Sequence, residues 1–353
     1  MRLRQIGDVV FTTPAVHALR DRFPAAHLTY LVEPAAAAVV ACNPHINEVI
    51  VVPRRRGISG LGEDLALVWR LRAARFDLAI DFHGGPRASV LTWLSGAPVR
   101  IGYEVLGRAW MYTVRIARPR ALRPRHSVEN QWDLLRAIGI HAIDPHAYPV
   151  EMANDPVAAA AVADRLARAG VRADDRLIVM HVSAGNPFRR WPPGSFADVA
   201  SALVRLDARH RIIVTSGPSE QDAAAVVIEG ARSGLPPAAR DRVLACGELS
   251  LTELRALADR AALYIGGDSG PLHIASTSHV PIVGLYGPTL PARSAPWRAA
   301  DWPAESVEVG GLSCRPCDQR VCAPGDFRCL TRIQPREVID AAARALARAS
   351  GKM

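Results

Sequence analysis

Four stretches of this 353-residue chain set acids, hydroxyls or guanidiniums beside glycines, where backbone can approach a ligand closely. The first is Gly7-Asp8-Val9-Val10-Phe11-Thr12-Thr13-Pro14. Its carboxylate, Asp8, either takes a proton from a substrate hydroxyl or caps a helix N-terminus. The second is Gly266-Gly267-Asp268-Ser269-Gly270-Pro271-Leu272-His273. Pro271 suits the first turn of a helix, and the N–H groups of Ser269, Gly270 and Leu272 would face an anion such as phosphate. Asp268 is unsuited to direct phosphate contact, so it faces a sugar hydroxyl or braces the loop. The third, Val182-Ser183-Ala184-Gly185-Asn186-Pro187-Phe188-Arg189-Arg190-Trp191-Pro192, offers two guanidiniums for bidentate contact with a diphosphate. Surface charge is the alternative for the arginines, and core packing for Trp191. The fourth is Thr215-Ser216-Gly217-Pro218-Ser219-Glu220, whose acid either accepts from ribose hydroxyls or caps a helix.

Cysteine use adds a fifth feature. Cys42 and Cys246 stand alone in apolar runs, while the rest cluster as Cys314-x2-Cys317-x4-Cys322-x6-Cys329. A structural zinc site is conceivable there, but only one CxxC pair is present, and a thiol-rich loop without an ion is the preferred reading. Neither GxGxxG nor GxxxxGK[ST] occurs, which argues against a dinucleotide dehydrogenase and a P-loop nucleotidase.

The elements that would carry these loops follow from hydrophobic periodicity. Strand-like runs in the first half are 28–32, 49–52, 78–82 and 99–102, with an amphipathic helix over 61–72. The second half repeats the alternation, with strands over 177–182, 212–216, 243–246, 263–267 and 282–286. Its helices are expected over 196–206, 220–231, 251–261 and 272–278, and a last one follows Pro335. Nearly continuous apolar strands alternating with helices mean parallel sheets covered on both faces. Two such blocks joined by the polar stretch 144–155 make two Rossmann-like domains, an α/β chain. Three of the four loops then fall at strand carboxyl ends of one domain, where ligands sit in open parallel sheets. Together they converge on a nucleoside-diphosphate site. Only six residues precede Gly7, so the first strand is short or the true start lies upstream.

Composition bounds the rest. The chain has 49% hydrophobic residues and a formal net charge of +9, and every basic residue but Lys352 is arginine. Between residues 54 and 126 there are fourteen arginines against five acids, an excess as large as that of the whole chain. Such a window is either a solvated basic face or a surface for an anionic partner. No run of about 18 apolar residues is present, nor the apolar core of a signal peptide, so a cytoplasmic chain is expected.

Several of these residues resemble one family. Arg2-Leu3-Arg4-Gln5-Ile6-Gly7-Asp8-Val9-Val10 with Thr12-Thr13-Pro14 is similar to the opening motif of ADP-heptose:lipopolysaccharide heptosyltransferases, glycosyltransferase family 9. So are Gly267-Asp268-Ser269-Gly270-Pro271-Leu272-His273, Leu285-Tyr286-Gly287-Pro288-Thr289, Arg189-Arg190-Trp191-Pro192 and the cysteine cluster running into Leu330. The resemblance implies a GT-B architecture, with two Rossmann-like parallel-sheet domains facing a cleft. An acceptor-binding domain over 1–152, a nucleotide-sugar domain over 153–334 and a helix over 335–353 crossing back to the first domain would follow.

It also implies inverting, metal-independent transfer of L-glycero-D-manno-heptose from ADP-heptose to the lipopolysaccharide inner core. Asp8 matches the catalytic base. Ser183, Arg189, Arg190, Glu220, Leu249, Asp268, Ser269, Gly270, Leu272 and His273 become donor-binding candidates. Among them Glu220 matches a ribose-binding acid, and Leu249 an apolar contact to adenine. Arg189 stands where the family usually has lysine, so a point charge becomes a planar fork. Arg54, Arg87 and Arg125 are acceptor-binding candidates, surface charge being the alternative for each. The partners are ADP-heptose and a lipid A–Kdo or heptosylated core acceptor at the inner-membrane surface. No cofactor is expected. The alternative that keeps this architecture is a sugar-nucleotide 2-epimerase. A nucleic-acid-binding role is disfavoured, because the aromatics of the basic window follow strand and helix patterns rather than a stacking platform.

Overall fold

Strands buried on both faces need helices on both faces, and in the second half each strand's alternation shows this directly. The structure, a computed structural model, describes residues 1–53, 58–117 and 125–351. The chain divides into a first unit, Met1–Ala153, and a second, Asn154–Met353.

In the first unit the strands are β1 (Thr29–Val32), β2 (Glu48–Val51), β3 (Leu78–Asp81), β4 (Val99–Tyr103) and β5 (Val114–Ile116). β1 pairs in parallel with β2, and β3-β4-β5 form a second parallel set. The first three residues lie between these sets. The Arg2 N–H donates to Leu31 O (3.3 Å) and the Glu33 N–H to Leu3 O (2.8 Å). On the other side the Met1 nitrogen donates to Ile80 O (2.8 Å) and the Phe82 N–H to Met1 O (3.0 Å). The short first strand is therefore a three-residue connector whose Leu3 side chain packs with Leu31, Ile50 and Leu91.

The stretch after it is not a loop. Ile6–Val10 is a short helix, followed by the helix Thr13–Arg22 with Pro14 in its first turn. β5, and the helices Pro34–Val40, Pro86–Leu94 and Ser127–Arg136, complete what periodicity left unassigned in this half. Of the helices, Pro34–Val40 is short and Pro86–Leu94 only weakly amphipathic, whereas Ser127–Arg136 is clearly amphipathic.

The second unit carries β6 (Arg176–His181), β7 (His210–Thr215), β8 (Val243–Ala245), β9 (Leu263–Gly267), β10 (Ile282–Tyr286) and β11 (Ala304–Glu308). They form one parallel sheet in the order β11-β10-β9-β6-β7-β8. Along β6, Ile178 and Met180 face one core with Val199, Leu203, Val227 and Val338, from helices Pro193–Leu206, Gln221–Ser233 and Pro335–Ser350. Leu177 and Val179 face the other, with Val162, Leu166 and Leu257, from helices Pro156–Arg168 and Leu251–Arg260. This is a doubly wound sheet.

Local chemistry starts its helices. Asp155 accepts from the Val157 N–H (2.9 Å) ahead of Pro156. Ser250 and Glu253 form a capping box, as Gln334 and Glu337 do before the final helix. That final helix buries Val338, Ala341, Ala342 and Ala345 in the core of the second unit.

Candidate active site

The order in which strands are added reverses between β6 and β9: from β6 the sheet grows to β7 and β8 on one side, and to β9, β10 and β11 on the other. A crevice opens at such a switch point, outside the strand carboxyl ends. The loops that follow β6 and β9 border it, and they touch. A Cβ on Gly267 would lie 3.0 Å from the Arg189 carbonyl oxygen, so the glycine permits the approach.

Arg189 crosses this junction. Its Nη1 stands 3.1 Å from Asp268 Oδ2 and donates to the Asp268 carbonyl (3.0 Å). Its Nε donates to Gln319 Oε1 (2.8 Å), which also accepts from Asn186 Nδ2 (2.9 Å). Asp268 is 1% exposed and also accepts from Thr289 Oγ1, with His273 Nε2 3.4 Å from its Oδ1. Burial opposes its ionisation, but His273, Arg189 and Thr289 outweigh that and bring its pKa down to about 2. Of the two roles open to Asp268 in the sequence, the structure shows the brace.

The adjoining turn keeps its donors available. The N–H groups of Ser269, Gly270 and Leu272 are accepted by no other described residue, and the buried Ser269 Oγ has no partner among the described residues. The Leu272 side chain is core, and His273 is buried beside Asp268.

Glu220 and Arg190 form the next layer. Arg190 Nη2 lies 2.8 Å from Glu220 Oε1, and its Nε donates to Ala184 O (2.8 Å). Glu220 does not cap the helix Gln221–Ser233 through its side chain. Its carboxylate instead lies over Gly217, where a Cβ would come within 2.6 Å of Oε2. Ser183 Oγ accepts from the Gly217 N–H (2.9 Å) and meets His181 Nε2 (3.0 Å), while His181 Nδ1 meets Thr215 Oγ1 (3.0 Å). Burial takes His181 down to about 4, so it is neutral at physiological pH. Ser183 thus ties the loops after β6 and β7 together.

Beside them lies a cavity of about 230 Å³, lined by Val214, Gly217, Ala224, Ile228, Gly247 and Glu248 among others. Leu249 does not line it but is half-buried against the opposite core. Trp191 is core, donating from Nε1 to Ile333 O (3.2 Å).

In the first unit Asp8 lies in the first turn of Ile6–Val10, and Gln5, not Asp8, is the N-cap. Its carboxylate pairs with Arg2 and is 38% exposed, so an oxygen remains open to a ligand. Arg2 is fixed in turn by donating to Phe82 O (2.7 Å) and Arg4 O (3.0 Å).

Sequence reasoning missed the group beside this pair. Asp81, fully buried, accepts from the His83 N–H (2.8 Å), the Gly84 N–H (2.9 Å) and Tyr112 Oη (2.6 Å). That shapes the turn carrying His83, whose Nδ1 is buried with no hydrogen-bond partner among the described residues. Burial, then the Arg2 charge, push His83 below the ordinary imidazole range. An acid closing a strand before His-Gly-Gly was the available signal.

The acceptor candidates are less open. Arg87 pairs with Asp64 (2.5 Å), and Arg125 with Asp133 (2.6 Å) and the Glu129 carbonyl (2.7 Å). Arg54 lies outside the described residues. All six thiols are free. Cys314, Cys317 and Cys322 are half-buried; burial pushes the Cys329 thiol up, with Arg315 acting the other way and the other three thiols adding to it.

Known proteins resemble this chain over most of its length. Lipopolysaccharide heptosyltransferase 3 of Escherichia coli is 27% identical over 303 residues, covering 84% of each chain. A solved glycosyl transferase family 9 protein of Veillonella parvula is 27% identical with a TM-score of 0.82, covering 98% of this chain and 95% of that one. The solved E. coli ADP-heptose lipopolysaccharide heptosyltransferase II shares the fold, with a TM-score of 0.75 at 19% identity, covering 99% of this chain and all of that one. The two parallel-sheet units are those of GT-B proteins. Residues 65–326, well over half of the chain, match the model of glycosyltransferase family 9 (heptosyltransferase). With strand-end loops gathered at a parallel-sheet switch point and most of its length matching the family model, the chain belongs to glycosyltransferase family 9 and is a glycosyltransferase.

Proposed function

We propose that this enzyme transfers L-glycero-D-manno-heptose from ADP-heptose to the inner core of lipopolysaccharide, with inversion at the anomeric carbon. The observation that carries the donor half is the turn after β9. Free N–H groups and the unpartnered Ser269 Oγ sit beside an arginine that is already held in place by Asp268. A diphosphate leaving group gains negative charge as its bond to the sugar breaks, and prearranged N–H donors and cations stabilise that charge. Arg189 and Arg190 supply the cations, and Glu220 stands ready for ribose hydroxyls once Arg190 turns to phosphate. The cavity beside Gly217 has an apolar floor suited to the base.

Asp8 acts as the general base. It accepts the proton of the acceptor hydroxyl as that oxygen bonds to the anomeric carbon, while ADP departs from the opposite face. Arg2 holds the carboxylate, and the exposed oxygen is the one that receives the proton. The acceptor is a phosphate-bearing, acidic glycolipid, to which the arginine-rich stretch 54–126 is complementary. No described helix is long and apolar enough to cross a membrane, and we place the enzyme on the cytoplasmic face of the inner membrane, bound peripherally at its acceptor.

The decisive measurement is a transfer assay with ADP-heptose and a panel of truncated core acceptors. Free ADP and a heptosylated acceptor with inverted configuration are expected. Return of an altered nucleotide sugar without ADP would identify an epimerase instead, and retained configuration would remove the direct displacement.

A further inference from the structure

The first unit turns a set of large apolar side chains towards water. Leu65 and Trp69 are exposed on the helix Ile58–Ala73, and Val90 and Trp93 on the helix Pro86–Leu94. Leu106 and Trp110 are exposed between β4 and β5. Trp69 is 75% exposed and Leu106 fully so. Among the described residues, exposed tryptophans occur only here.

Contacts between the elements join these positions into one surface. At 3.6 residues per turn, Leu65, Trp69 and Trp93 each stand about half a turn from Leu67, Leu71 and Leu91. The latter three face a core that includes Leu31 and Ile50, so the former point away from it. Arg87 pairs with Asp64 (2.5 Å) towards the start of the two helices. Towards their ends, a Cβ on Gly96 would lie 4.0 Å from Arg72 Cγ. The helices therefore run side by side, and their outward faces adjoin. The Trp93 and Trp110 rings meet edge to face, with centroids 5.1 Å apart and planes at 71°. Trp110 Nε1 donates to Gly107 O (3.1 Å), which keeps its ring on the turn that carries Leu106. In the same turn Arg108 Nη2 donates to Gly84 O (3.2 Å), beside Phe82, whose carbonyl accepts from Arg2. The apolar surface thus reaches the edge of the unit where Arg2 holds Asp8.

The charge around it has one dominant sign. Arg70, Arg72 and Arg75 are exposed at the end of the first helix, and Arg54, Arg55 and Arg56 precede that helix in the sequence. Asp64, the acid beside Leu65, is paired with Arg87. An exposed apolar patch bordered by polar groups marks an interaction surface. Tryptophan suits the headgroup level of a bilayer, with an apolar ring and a polar N–H, and neighbouring arginines are attracted to anionic lipid.

We infer that Leu65, Trp69, Val90, Trp93, Leu106 and Trp110 form a membrane-docking face that enters the interfacial layer of an anionic bilayer, with the bordering arginines on lipid phosphates. This rests on the reading of the acceptor as a membrane-borne glycolipid, and names the surface that meets its leaflet. Docking by this face brings the Asp8 edge to the headgroup layer, where such an acceptor exposes its hydroxyls.

Vesicles free of acceptor and of ADP-heptose test the surface by itself. The full-length chain should sediment with phosphatidylglycerol-containing vesicles, far less with pure phosphatidylcholine, and less as salt is raised. Trp69→Ser and Leu106→Asp change side chains that stand in solvent, so circular dichroism should be unchanged. Each should lower the partition coefficient about tenfold or more. Lipids brominated in the acyl chain should quench tryptophan fluorescence, and Trp93→Ser with Trp110→Ser should remove most of that quenching. Absence of vesicle binding, binding that the variants leave intact, or binding without quenching would overturn the docking face. A dimer in sedimentation velocity that Trp69→Ser dissociates, with no vesicle binding, would assign the surface to a second copy instead. Transfer to a lipid-free core oligosaccharide is measured in parallel and should be unchanged in Trp69→Ser. Vesicle binding without any transfer leaves the surface standing and removes the proposed activity; transfer without vesicle binding does the reverse.

Discussion

Asp268 sits among a guanidinium, an imidazole and a hydroxyl with almost no solvent, and its ionisation is built into the second unit. Its folded pKa of about 2 lies below the ordinary 3.8, so the contribution is complete above pH 4 and fades as pH falls towards 2. That difference corresponds to roughly 2 kcal/mol. Urea titrations of wild type and Asp268→Asn are expected to differ by that order at pH 7 and to converge near pH 2. A constant gap across that range would show that the charge is not what stabilises the turn. Asp8 is a different kind of residue, half-open and paired once. Asp8→Asn keeps its size but not its basicity, so transfer should fall by about 10²- to 10⁴-fold while ADP binding is unchanged. Equal turnover would take Asp8 out of the chemistry.

At the scale of elements, the end of β3 and the start of the helix Pro86–Leu94 depend on one glycine in the neighbouring strand. A Cβ on Gly102 would lie 2.4 Å from the ring of Tyr112, which is 1% exposed and cannot swing into solvent. The displaced hydroxyl would leave Asp81 (2.6 Å) and Ser89 (2.7 Å). Gly102→Ala should therefore destabilise the first unit by about 1–3 kcal/mol, as overpacking does. Tyr112→Phe removes the hydroxyl without the clash, and thermal melts should place it between the alanine variant and the wild type. If both variants melted with the wild type, the Asp81 turn would not rely on this contact. Periodicity located β3 and β4 to within a residue, because an apolar run of four or five residues announces a buried strand. It missed β5 and β11, three and five residues long with arginine or acids inside them, since both are half-exposed edge strands held by backbone pairing to one neighbour rather than by burial of their own side chains.

At the scale of the molecule, a donor that binds the loops after β6, β7 and β9 must stabilise the sheet that carries them. ADP at about 100 times its Kd should add about 2.7 kcal/mol and slow amide exchange at Ser269, Gly270 and the Gly217 turn. Exchange unchanged in those loops, with ADP bound, would move the nucleotide elsewhere. Pattern along the chain was enough for the alternation of strands and helices and for parallel sheets covered on both faces. Those follow from local backbone preference and from hydrophobic spacing, which are properties of neighbours along the chain. Tertiary structure alone decided the strand order that sets Arg189 against Asp268, and the pairing of Glu220 with Arg190 rather than with its own helix. Each joins residues separated by 30 or more positions or by a choice between two partners of equal local merit, and only the packing of whole elements makes that choice.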